Sequence, residues 1–418
     1  MNITTPDNDY EIVVVGGGMV GASFAYALSQ VLGENCPSIL VVEAAALETE
    51  KSQQPSFDAR STALSFGSRQ IFEALDLWPD LNPLVTAIHE IQVSDKGRFG
   101  STQLTREELK VEALGYVIEN ADLGSVLNEK LSDCDQIALL APASIEQITP
   151  RPEGMDLSIE LKGESDVQGK SFAVSASLVV LAEGGRSSIC QQLGIEQNKE
   201  KYQQHAIITN IAFEKPHQNI AFERFTEHGP LAVLPLRTFE GENRCSLVWT
   251  TAETDSEGFM ELGESELLTN LQSSFGNRLG KLVSIGQKFC FPLSLSIAKE
   301  QIRPGLVLLG NVAHTLHPVA GQGLNLALRD IDALVKILDS ARKNQQSLGS
   351  MQILQSYVDT QEFDQQKAIR FTDSLTKLFS SNNPAKVATR KFGLLSLELI
   401  PAVRKAFTEQ AMGFSGKV

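Results

Sequence analysis

Residues 10–21 read YEIVVVGGGMVG, a β-branched run that leads into a glycine-rich turn. A short, continuous apolar run of this kind is typical of a strand buried inside a parallel sheet. The Ala- and Leu-rich residues 22–32 predict a helix, and residues 38–42 (SILVV) predict a second strand that ends at Glu43. Together these segments predict one strand–helix–strand unit.

The turn contains the spacing G-x-G-x-x-G, formed by Gly16, Gly18 and Gly21. In this motif the first glycine permits the tight turn, the second lets a pyrophosphate approach the backbone, and the third lets helix and strand pack closely. Glu43 lies 22 residues after Gly21, close to the spacing of about 20 expected for a ribose-binding carboxylate. A solvated carboxylate at a strand end is the alternative. The unit predicts dinucleotide binding and leaves NAD and FAD both open.

The composition limits the class of protein. The 418 residues are 42% hydrophobic and 21% charged, which excludes a disordered chain and predicts two large domains or one domain with a large insertion. The formal net charge of −15 argues against nucleic acid as a partner. The five cysteines are scattered, as in a reducing compartment, and neither a secretion signal nor a long apolar run is recognisable. We therefore predict a cytoplasmic location.

Two further segments have the pattern of nucleotide-fold strands. Residues 177–182 (SLVVLA) precede the sequence EGGRS at 183–187, and residues 306–309 (LVLL) precede Gly310 and Asn311. Apolar residues then recur at helical spacing over residues 324–341, which predicts a long helix. Between the second and third segments, short strands separated by turns predict an inserted antiparallel sheet. The predicted strands are 207–213, 221–225, 231–236 and 245–250.

The predicted fold class is α/β, with a Rossmann-like nucleotide-binding domain, an inserted antiparallel β-sheet domain for the substrate and C-terminal helices. The predicted limits are residues 1–90, 111–190 and 296–375 for the first domain, 91–110 and 191–295 for the second, and 376–418 for the C-terminal helices.

The three motifs resemble those of the FAD-dependent aromatic hydroxylases, the flavoprotein monooxygenases of the p-hydroxybenzoate hydroxylase type. The second family motif, D-G-x-x-S, is present as residues 183–187 with Glu in place of Asp. The third, G-D followed by H-x-x-x-P-x-x-G-Q-G-x-N, is present as residues 310–325 with Asn311 in place of Asp. Three segments look like the ubiquinone-biosynthesis hydroxylases in particular: residues 222–232, 315–326 with 329–330, and 371–375.

This resemblance implies an FAD-dependent monooxygenase that uses NAD(P)H and dioxygen to hydroxylate a prenylated methoxyphenol in ubiquinone biosynthesis. The Rossmann-like domain would then be the FAD-binding domain. The residues implied to act at the reacting ring are Pro318, Gly321, Gln322 and Gly323, where the N–H groups of a helix start can stabilise negative charge on reduced flavin. The cofactor-binding residues implied are Gly16, Gly18, Gly21, Glu43, Arg60, Asn120, Glu183, Gly184, Gly310, Asn311, Gly323, Leu324 and Asn325.

Three polar residues have competing interpretations. Arg60 matches a family arginine near the FAD pyrophosphate and ribityl chain, and a surface ion pair with Asp58 is the alternative. Asn120 lies where relatives often have Arg or Gln in contact with FAD, and because Asn departs from that pattern, a role with and one without cofactor contact are equally open. Arg186 either serves NAD(P)H binding or pairs with a neighbouring acid.

No metal site is predicted. His314 and His317 are three residues apart on a loop without nearby ligands, so we expect structural hydrogen bonds near the flavin. The amphipathic stretch 392–414 either docks on a bilayer, as a peripheral membrane contact, or packs on the second domain. Other ubiquinone-pathway proteins are further candidate partners. Two other functions stay open: a sister hydroxylase acting at another ring carbon, and a redox-silent prenyl-binding module on the same fold.

Overall fold

The computed structural model describes residues 9–46, 60–96, 101–162, 170–185, 187–226, 229–318, 321–379 and 404. Its helices are α1 (Met19–Leu32), α2 (Phe66–Ala74), α3 (Trp78–Leu81), α4 (Arg106–Leu109), α5 (Asn120–Ser132), α6 (Ser188–Gln192), α7 (Glu253–Glu261), α8 (Glu264–Phe275), α9 (Gln322–Lys343) and α10 (Met351–Phe379). None of these described helices has an apolar segment that could cross a bilayer.

The strands form three sheets. In chain order they are β1 (Asp9–Val15), β2 (Ile39–Val42), β3 (Ser61–Ser65), β4 (Thr86–Ile88), β5 (Glu90–Asp95), β6 (Ser101–Thr105), β7 (Gly115–Glu119), β8 (Ile137–Leu140), β9 (Ala143–Arg151), β10 (Gly154–Leu161), β11 (Ser171–Leu181), β12 (Gln197–Phe213), β13 (Ile220–Phe225), β14 (Pro230–Pro235), β15 (Asn243–Ala252), β16 (Leu282–Ile285), β17 (Phe289–Ala298), β18 (Ile302–Arg303), β19 (Leu306–Leu308) and β20 (His314–Thr315).

The first sheet has the order β18-β19-β11-β1-β2-β8, and its pairings from β19 to β8 are parallel. β10 and β9 extend it by antiparallel pairing. Val14 packs in the core that contains α1 and α9, whereas Val13 packs on the opposite side with β10. Because β1 is buried on both faces, it needs apolar side chains at successive positions, which explains the β-branched run.

The second sheet has the order β20-β17-β12-β15-β14-β13-β5-β6, with β16 attached to β12. Helix α8 covers one face, where the rings of Phe275 and Phe222 have centroids 5.4 Å apart. The opposite face contacts the three-stranded sheet β3-β7-β4, because Ala221 of β13 and Val117 of β7 share one hydrophobic cluster. This second face is therefore turned toward the strands that follow the dinucleotide-type unit.

The predicted fold class is confirmed, with differences in its elements. The helix predicted over 324–341 spans Gln322–Lys343, and the strand predicted over 207–213 begins earlier, at Gln197. Helices α7 and α8 lie within the inserted sheet and are absent from the predicted pattern. Only Ser256 of α7 is buried, so that helix has no apolar stripe to mark it in the sequence.

The domain limits stay a prediction, but two of them meet continuous elements. The limit at 295/296 falls inside β17, which pairs with β12 through Ala298, and the limit at 375/376 falls inside α10. The amphipathic stretch 392–414 lies outside the described residues except for Arg404. That residue forms an ion pair with Glu108 on α4, with Nη1 and Oε1 3.1 Å apart.

Candidate active site

The three glycine-containing motifs lie side by side at the carboxyl ends of adjacent strands. β19, β11 and β1 are neighbours in the first sheet. Beyond their ends, the N–H of Ala182 donates to the carbonyl of Val15 (2.8 Å), and the N–H of Leu309 donates to that of Leu181 (2.9 Å). Open parallel sheets bind ligands outside the carboxyl ends of their strands. This edge is therefore the candidate site.

Close contacts at this edge require glycine. Gly16 has φ +100°, and a Cβ on it would stand 2.8 Å from the carbonyl carbon of Ala182. A Cβ on Gly21 would lie 1.8 Å from the carbonyl oxygen of Gly16. In the third motif, Gly310 has φ +67°, and its Cβ would stand 2.9 Å from Cγ2 of Val20. The first motif thus contacts the second and the third through glycines.

The first turn of α1 is open to an anion. Gly18 occupies the N-cap position and offers no side chain, and the first turn contains no acidic residue. The N–H groups of a helix start and the helix dipole favour a negatively charged group such as pyrophosphate. The start of α1 therefore offers the partial positive charge that can bind the diphosphate of a dinucleotide.

Glu43 lies at the end of β2 and closes the glycine loop. Its Oε2 accepts a hydrogen bond from the N–H of Gly17 (2.7 Å), and its Oε1 accepts one from the N–H of Ala45 (2.8 Å). Glu43 is only 8% exposed, so the alternative of a solvated carboxylate does not describe it. A carboxylate has about four lone-pair sites, so two remain for the hydroxyls of a ribose.

Asn325 fixes the start of α9 against β3 and α2. Its Oδ1 accepts hydrogen bonds from the N–H of Ser65 (2.8 Å) and the hydroxyl of Ser68 (2.6 Å). Its Nδ2 donates to the carbonyls of Ala63 (2.8 Å) and Gly321 (2.6 Å). These hydrogen bonds use the full capacity of the amide. The side chain of Asn325 therefore positions the helix and has no capacity left for a cofactor.

The turn before α9 leaves the first glycine of the helix uncovered. Gly321 has φ +58° and donates its N–H to the carbonyl of Pro318 (3.0 Å). Gln322 is fully buried, and Leu324 packs against the core around α1. Among the described residues, no atom lies within 4 Å of where a Cβ on Gly323 would stand. A ring can therefore approach the N–H groups of this helix start closely.

The second and third motifs also meet each other. A Cβ on Gly185 would stand 2.9 Å from the hydroxyl oxygen of Thr315, which donates a hydrogen bond to the carbonyl of Asn311 (2.8 Å). Asn311 is exposed, so its side-chain amide is accessible to a hydroxyl group. Gly184 has φ +89° and open space beside it within the described structure.

Glu183 is held by the last residue of its own motif. The hydroxyl of Ser187 donates to Oε1 of Glu183 and accepts a hydrogen bond from the N–H of Cys190 (2.9 Å) at the start of α6. Burial raises the pKa of Glu183, and the hydrogen bond from Ser187 partly offsets that rise. The Glu183 side chain therefore stabilises the conformation of the second motif. Arg186 lies outside the described residues, and its two interpretations stay predictions.

Arg60 and Asn120 lie next to each other and face the second sheet. The N–H of Asn120 donates to the carbonyl of Arg60 (2.8 Å), and its side chain accepts from the hydroxyl of Thr62 (2.7 Å). The guanidinium carbon of Arg60 stands 4.6 Å from the ring centroid of Phe291 on β17, within cation–π range. Asp58, the alternative partner of Arg60, lies outside the described residues.

A cavity of about 240 Å³ adjoins Arg60 on the second sheet. Its lining includes Asn210, Arg244, Gly286 and Phe289 and no residue of the three motifs.

A buried polar network lies behind the third motif, and sequence analysis does not predict it. His314 Nε2 stands 3.1 Å from Asp330 Oδ2, and both side chains are almost completely buried. Neither ring nitrogen of His314 has a hydrogen-bond partner within the described structure, so the structural hydrogen bonds predicted for this residue are wrong. Oδ1 of Asp330 accepts from Nε2 of Gln365 (3.0 Å), and Arg329 pairs with Asp364 at 2.6 Å. The network ties the loop before α9 to α9 and α10. The sequence feature that marks this network is the Arg329-Asp330 pair, which belongs to the family resemblance.

His317 is buried against Tyr202, with ring centroids 5.4 Å apart in a T-shaped arrangement. Burial lowers the pKa of His317 to about 4, so the ring is neutral at pH 7. The hydroxyl of Tyr202 donates to Oδ1 of Asp373 on α10 (3.0 Å). Across the described ranges, no group of three or more His, Cys, Asp or Glu side chains is arranged to hold a metal ion.

Residues 9–372 match the family model described as an FAD binding domain. The chain belongs to this FAD binding domain family. Ubiquinone hydroxylase UbiL of Rhodospirillum rubrum is 30% identical to this FAD-binding protein, over 97% of this chain and 90% of its own. The 3-demethoxyubiquinol 3-hydroxylase of Escherichia coli is 29% identical, over 96% and 98%. The crystal structure of p-nitrophenol 4-monooxygenase PnpA from Pseudomonas putida has the same fold, with a TM-score of 0.77 at 16% identity. The match covers 99% of this chain and 100% of that one.

Membership of the FAD binding domain family confirms FAD as the cofactor, and together with the hydroxylase relatives it confirms a flavin-dependent monooxygenase as the enzyme class. The described residues fit this cofactor. The uncapped start of α1 suits its diphosphate, Glu43 suits a ribose, and the open space at Gly323 suits a planar ring.

Proposed function

We propose that this monooxygenase hydroxylates a prenylated methoxyphenol para to its hydroxyl group, a step of the 2-octaprenyl-6-methoxyphenol hydroxylase type that yields the 1,4-benzoquinol in ubiquinone biosynthesis. The family motifs support this, as do full-length relatives named as a ubiquinone hydroxylase and a 3-demethoxyubiquinol 3-hydroxylase. NAD(P)H is the proposed electron donor, and dioxygen supplies the oxygen atom.

The first motif would hold the adenosine diphosphate part of FAD. Gly16, Gly18 and Gly21 keep the start of α1 accessible, so that its N–H groups can bind the pyrophosphate. Glu43 would accept hydrogen bonds from the ribose while it also closes the loop through Gly17. This arrangement explains why a buried carboxylate is tolerated beside a phosphate site: backbone N–H groups satisfy it.

The second and third motifs would bind the rest of the cofactor. Asn311, exposed and without charge, would hydrogen-bond a ribityl hydroxyl, with Gly310 and Gly184 keeping the backbone close. Arg60 and Asn120 would flank the pyrophosphate and ribityl chain. Glu183 would support the FAD site through its hydrogen bond with Ser187 rather than by direct contact with the cofactor. Asn325 would likewise support the site indirectly, through hydrogen bonds to four protein partners.

A bound FAD would supply the redox and oxygen-transfer chemistry, with NAD(P)H as the source of electrons and dioxygen as the source of the oxygen atom. The chain's own contribution is positional and electrostatic. The N–H groups at Gln322, Gly323 and Leu324 open α9 and would stabilise negative charge on the ring system. Gly321 shapes the turn, and Pro318, which accepts its hydrogen bond, would lie beside the reacting face.

One observation carries this proposal: glycines of separated motifs meet at the carboxyl ends of β1, β11 and β19, with open space at Gly323. The second candidate function is that of a sister hydroxylase acting at another ring carbon. It is supported by the Escherichia coli relative, which is named as a 3-demethoxyubiquinol 3-hydroxylase. No contact in the described structure favours a redox-silent prenyl-binding module. The predicted membrane contact through residues 392–414 stays a prediction.

Deletion of the gene followed by mass spectrometry of accumulated quinone intermediates tests the proposal. We expect a prenylated methoxyphenol that lacks the para hydroxyl to accumulate, and a plasmid copy of the gene to remove it. Accumulation of an intermediate hydroxylated at that carbon but lacking a different oxygen would identify the sister reaction. Unchanged ubiquinone synthesis would contradict both assignments.

A further inference from the structure

Glu223 lies on β13, the third strand from the β6 end of the second sheet. Neighbouring side chains on a strand point to opposite faces. Phe222 packs on Phe275 of α8, whereas Ala221 packs with Val117 of β7. Glu223 is two residues from Ala221, so it shares that residue's face. Its side chain is therefore turned toward the FAD-binding part of the chain and away from α8.

A row of cross-strand partners extends this face across the sheet. Starting from Glu223, each residue pairs with the next on the adjacent strand: Ala232, Val248, Ile208 and Phe289. Paired residues on neighbouring strands share a face. At the far end of the row, the guanidinium carbon of Arg60 stands 6.0 Å from the ring centroid of Phe289. Both ends of the row thus face the FAD-binding part, and Glu223 is its single polar residue.

The surroundings of Glu223 are apolar. Val93 of β5 and Ala232 of β14 are its direct neighbours, and the next charged residue on the same face is Asp95, two residues along β5. Within the part of the chain that the structure describes, its carboxylate has neither a hydrogen bond nor an ion pair. Although part of Glu223 is exposed, the protein atoms packed around its carboxylate desolvate it and raise its pKa to about 7, with no contribution from a neighbouring charge. A base whose pKa lies near the working pH is well matched to proton transfer.

This inference rests on the proposed phenol substrate. We propose that Glu223 is a catalytic residue, the general base that accepts the proton of the substrate's hydroxyl group. The O–H bond of the phenol breaks, a new O–H bond forms on the carboxylate, and the electron pair stays on the phenol oxygen. That oxygen then donates electron density into the ring, which strengthens the para carbon as the nucleophile for the incoming oxygen atom. The apolar row beside Glu223 accommodates the substrate's carbon skeleton.

The test compares the FAD-loaded wild-type enzyme with Glu223→Gln, using a short-chain prenylated 6-methoxyphenol, NAD(P)H and dioxygen. We expect Glu223→Gln to retain FAD and to form hydroxylated product about 100-fold more slowly, in the range for loss of a general base. Wild-type product formation should rise with pH through a transition near 7, as the carboxyl ionises, and the variant should lack that transition. A ring-fluorinated substrate that is already ionised should reduce the difference between the two enzymes toward unity.

Glu90→Gln is the matched control. Glu90 lies on the adjacent strand β5 and pairs with Ile220, which packs on the α8 side, so its carboxylate points to the opposite face. We expect this variant to behave as wild type. If wild type hydroxylates the phenol and Glu223→Gln does so at the same rate, Glu223 is not the base while the proposed function stands. An equal defect with the pre-ionised phenol would also overturn the assignment, because it would show a structural role. A wild-type enzyme without product would instead refute the proposed function.

Discussion

Gly310 lies directly against Val20, so that a Cβ on the glycine would stand 2.9 Å from Cγ2 of the valine. The contact joins the third motif to the first turn of α1, far apart in the sequence but adjacent at the edge of the sheet. It brings the start of α1 next to Gly310, whose neighbour Asn311 is exposed. The geometry of the proposed cofactor site therefore depends on a residue without a side chain.

Gly310→Ala should destabilise the protein and weaken FAD binding. Its φ of +67° is unfavourable for alanine, at a cost of about 1 kcal/mol, and overlap with Val20 adds about 1–3 kcal/mol. Gly194→Ala is the control, because Gly194 has φ +66° and no described atom within 4 Å of its Cβ position. Urea unfolding and FAD titration of both variants measure the difference. Equal losses would show that the contact with Val20 is unimportant.

Gly18→Val should abolish FAD binding and leave the fold largely intact, because a side chain at the N-cap of α1 blocks the approach of a pyrophosphate. Gly263 occupies the N-cap of α8 with a similar φ of −64°, and nothing described lies within 4 Å of its Cβ position. Gly263→Val should keep stoichiometric flavin. Flavin absorbance and circular dichroism report the two effects, and flavin retained by Gly18→Val would refute the phosphate-binding assignment.

Asn325→Ala should lower the free energy of unfolding by about 3–4 kcal/mol, since four hydrogen bonds, two of them fully buried, are lost at about 1 kcal/mol each. The exposed Asn344 at the end of α9 donates to the carbonyl of Ser340 (2.8 Å), and Asn344→Ala should change stability by less than about 0.5 kcal/mol. Denaturant unfolding of both apo-proteins measures this. A small effect at Asn325 would show that the helix start is held by other contacts.

Stability should fall with acid because of His317. Its folded-state pKa of about 4 lies below its ordinary value of 6.5, so the unfolded chain binds the proton first as pH falls. This difference should remove about 2 kcal/mol of stability between pH 7 and pH 5. His317→Gln cannot titrate there and should lose correspondingly less over that interval. Parallel pH slopes for wild type and variant would contradict the assigned burial effect.

The sequence predicts the part of the site that local chemistry specifies. Gly16, Gly18 and Gly21 follow a strand and open a helix, and Glu43 ends the next strand, so their placement at one edge follows from the unit itself. The later motifs are placed by the same rule, because each follows an apolar strand of the parallel sheet. These residues can be placed from the sequence because each pattern lies within a few neighbouring residues.

Contacts between distant segments are not predictable in the same way. The amide of Asn325 is bonded to Ser65 and Ala63, about 260 residues earlier, and nothing in its local pattern distinguishes that role from cofactor contact. The pairing of Asp330 with His314 and Gln365 depends likewise on how α9 and α10 pack. Glu223 occupies a short strand that packs against α8, a helix that the predicted pattern omits although Leu267, Leu271 and Phe275 recur at helical spacing.

Oxygen transfer to the phenol is tested most directly with isotopically labelled dioxygen. The FAD-loaded enzyme is incubated with NAD(P)H, labelled dioxygen and a prenylated 6-methoxyphenol, and the product is examined by mass spectrometry and NMR. We predict one labelled oxygen atom at the carbon para to the original hydroxyl, and NAD(P)H oxidation that accelerates when the phenol is added. An unchanged phenol, with NAD(P)H consumed equally in its presence and absence, would contradict the assignment of this protein as a phenol hydroxylase.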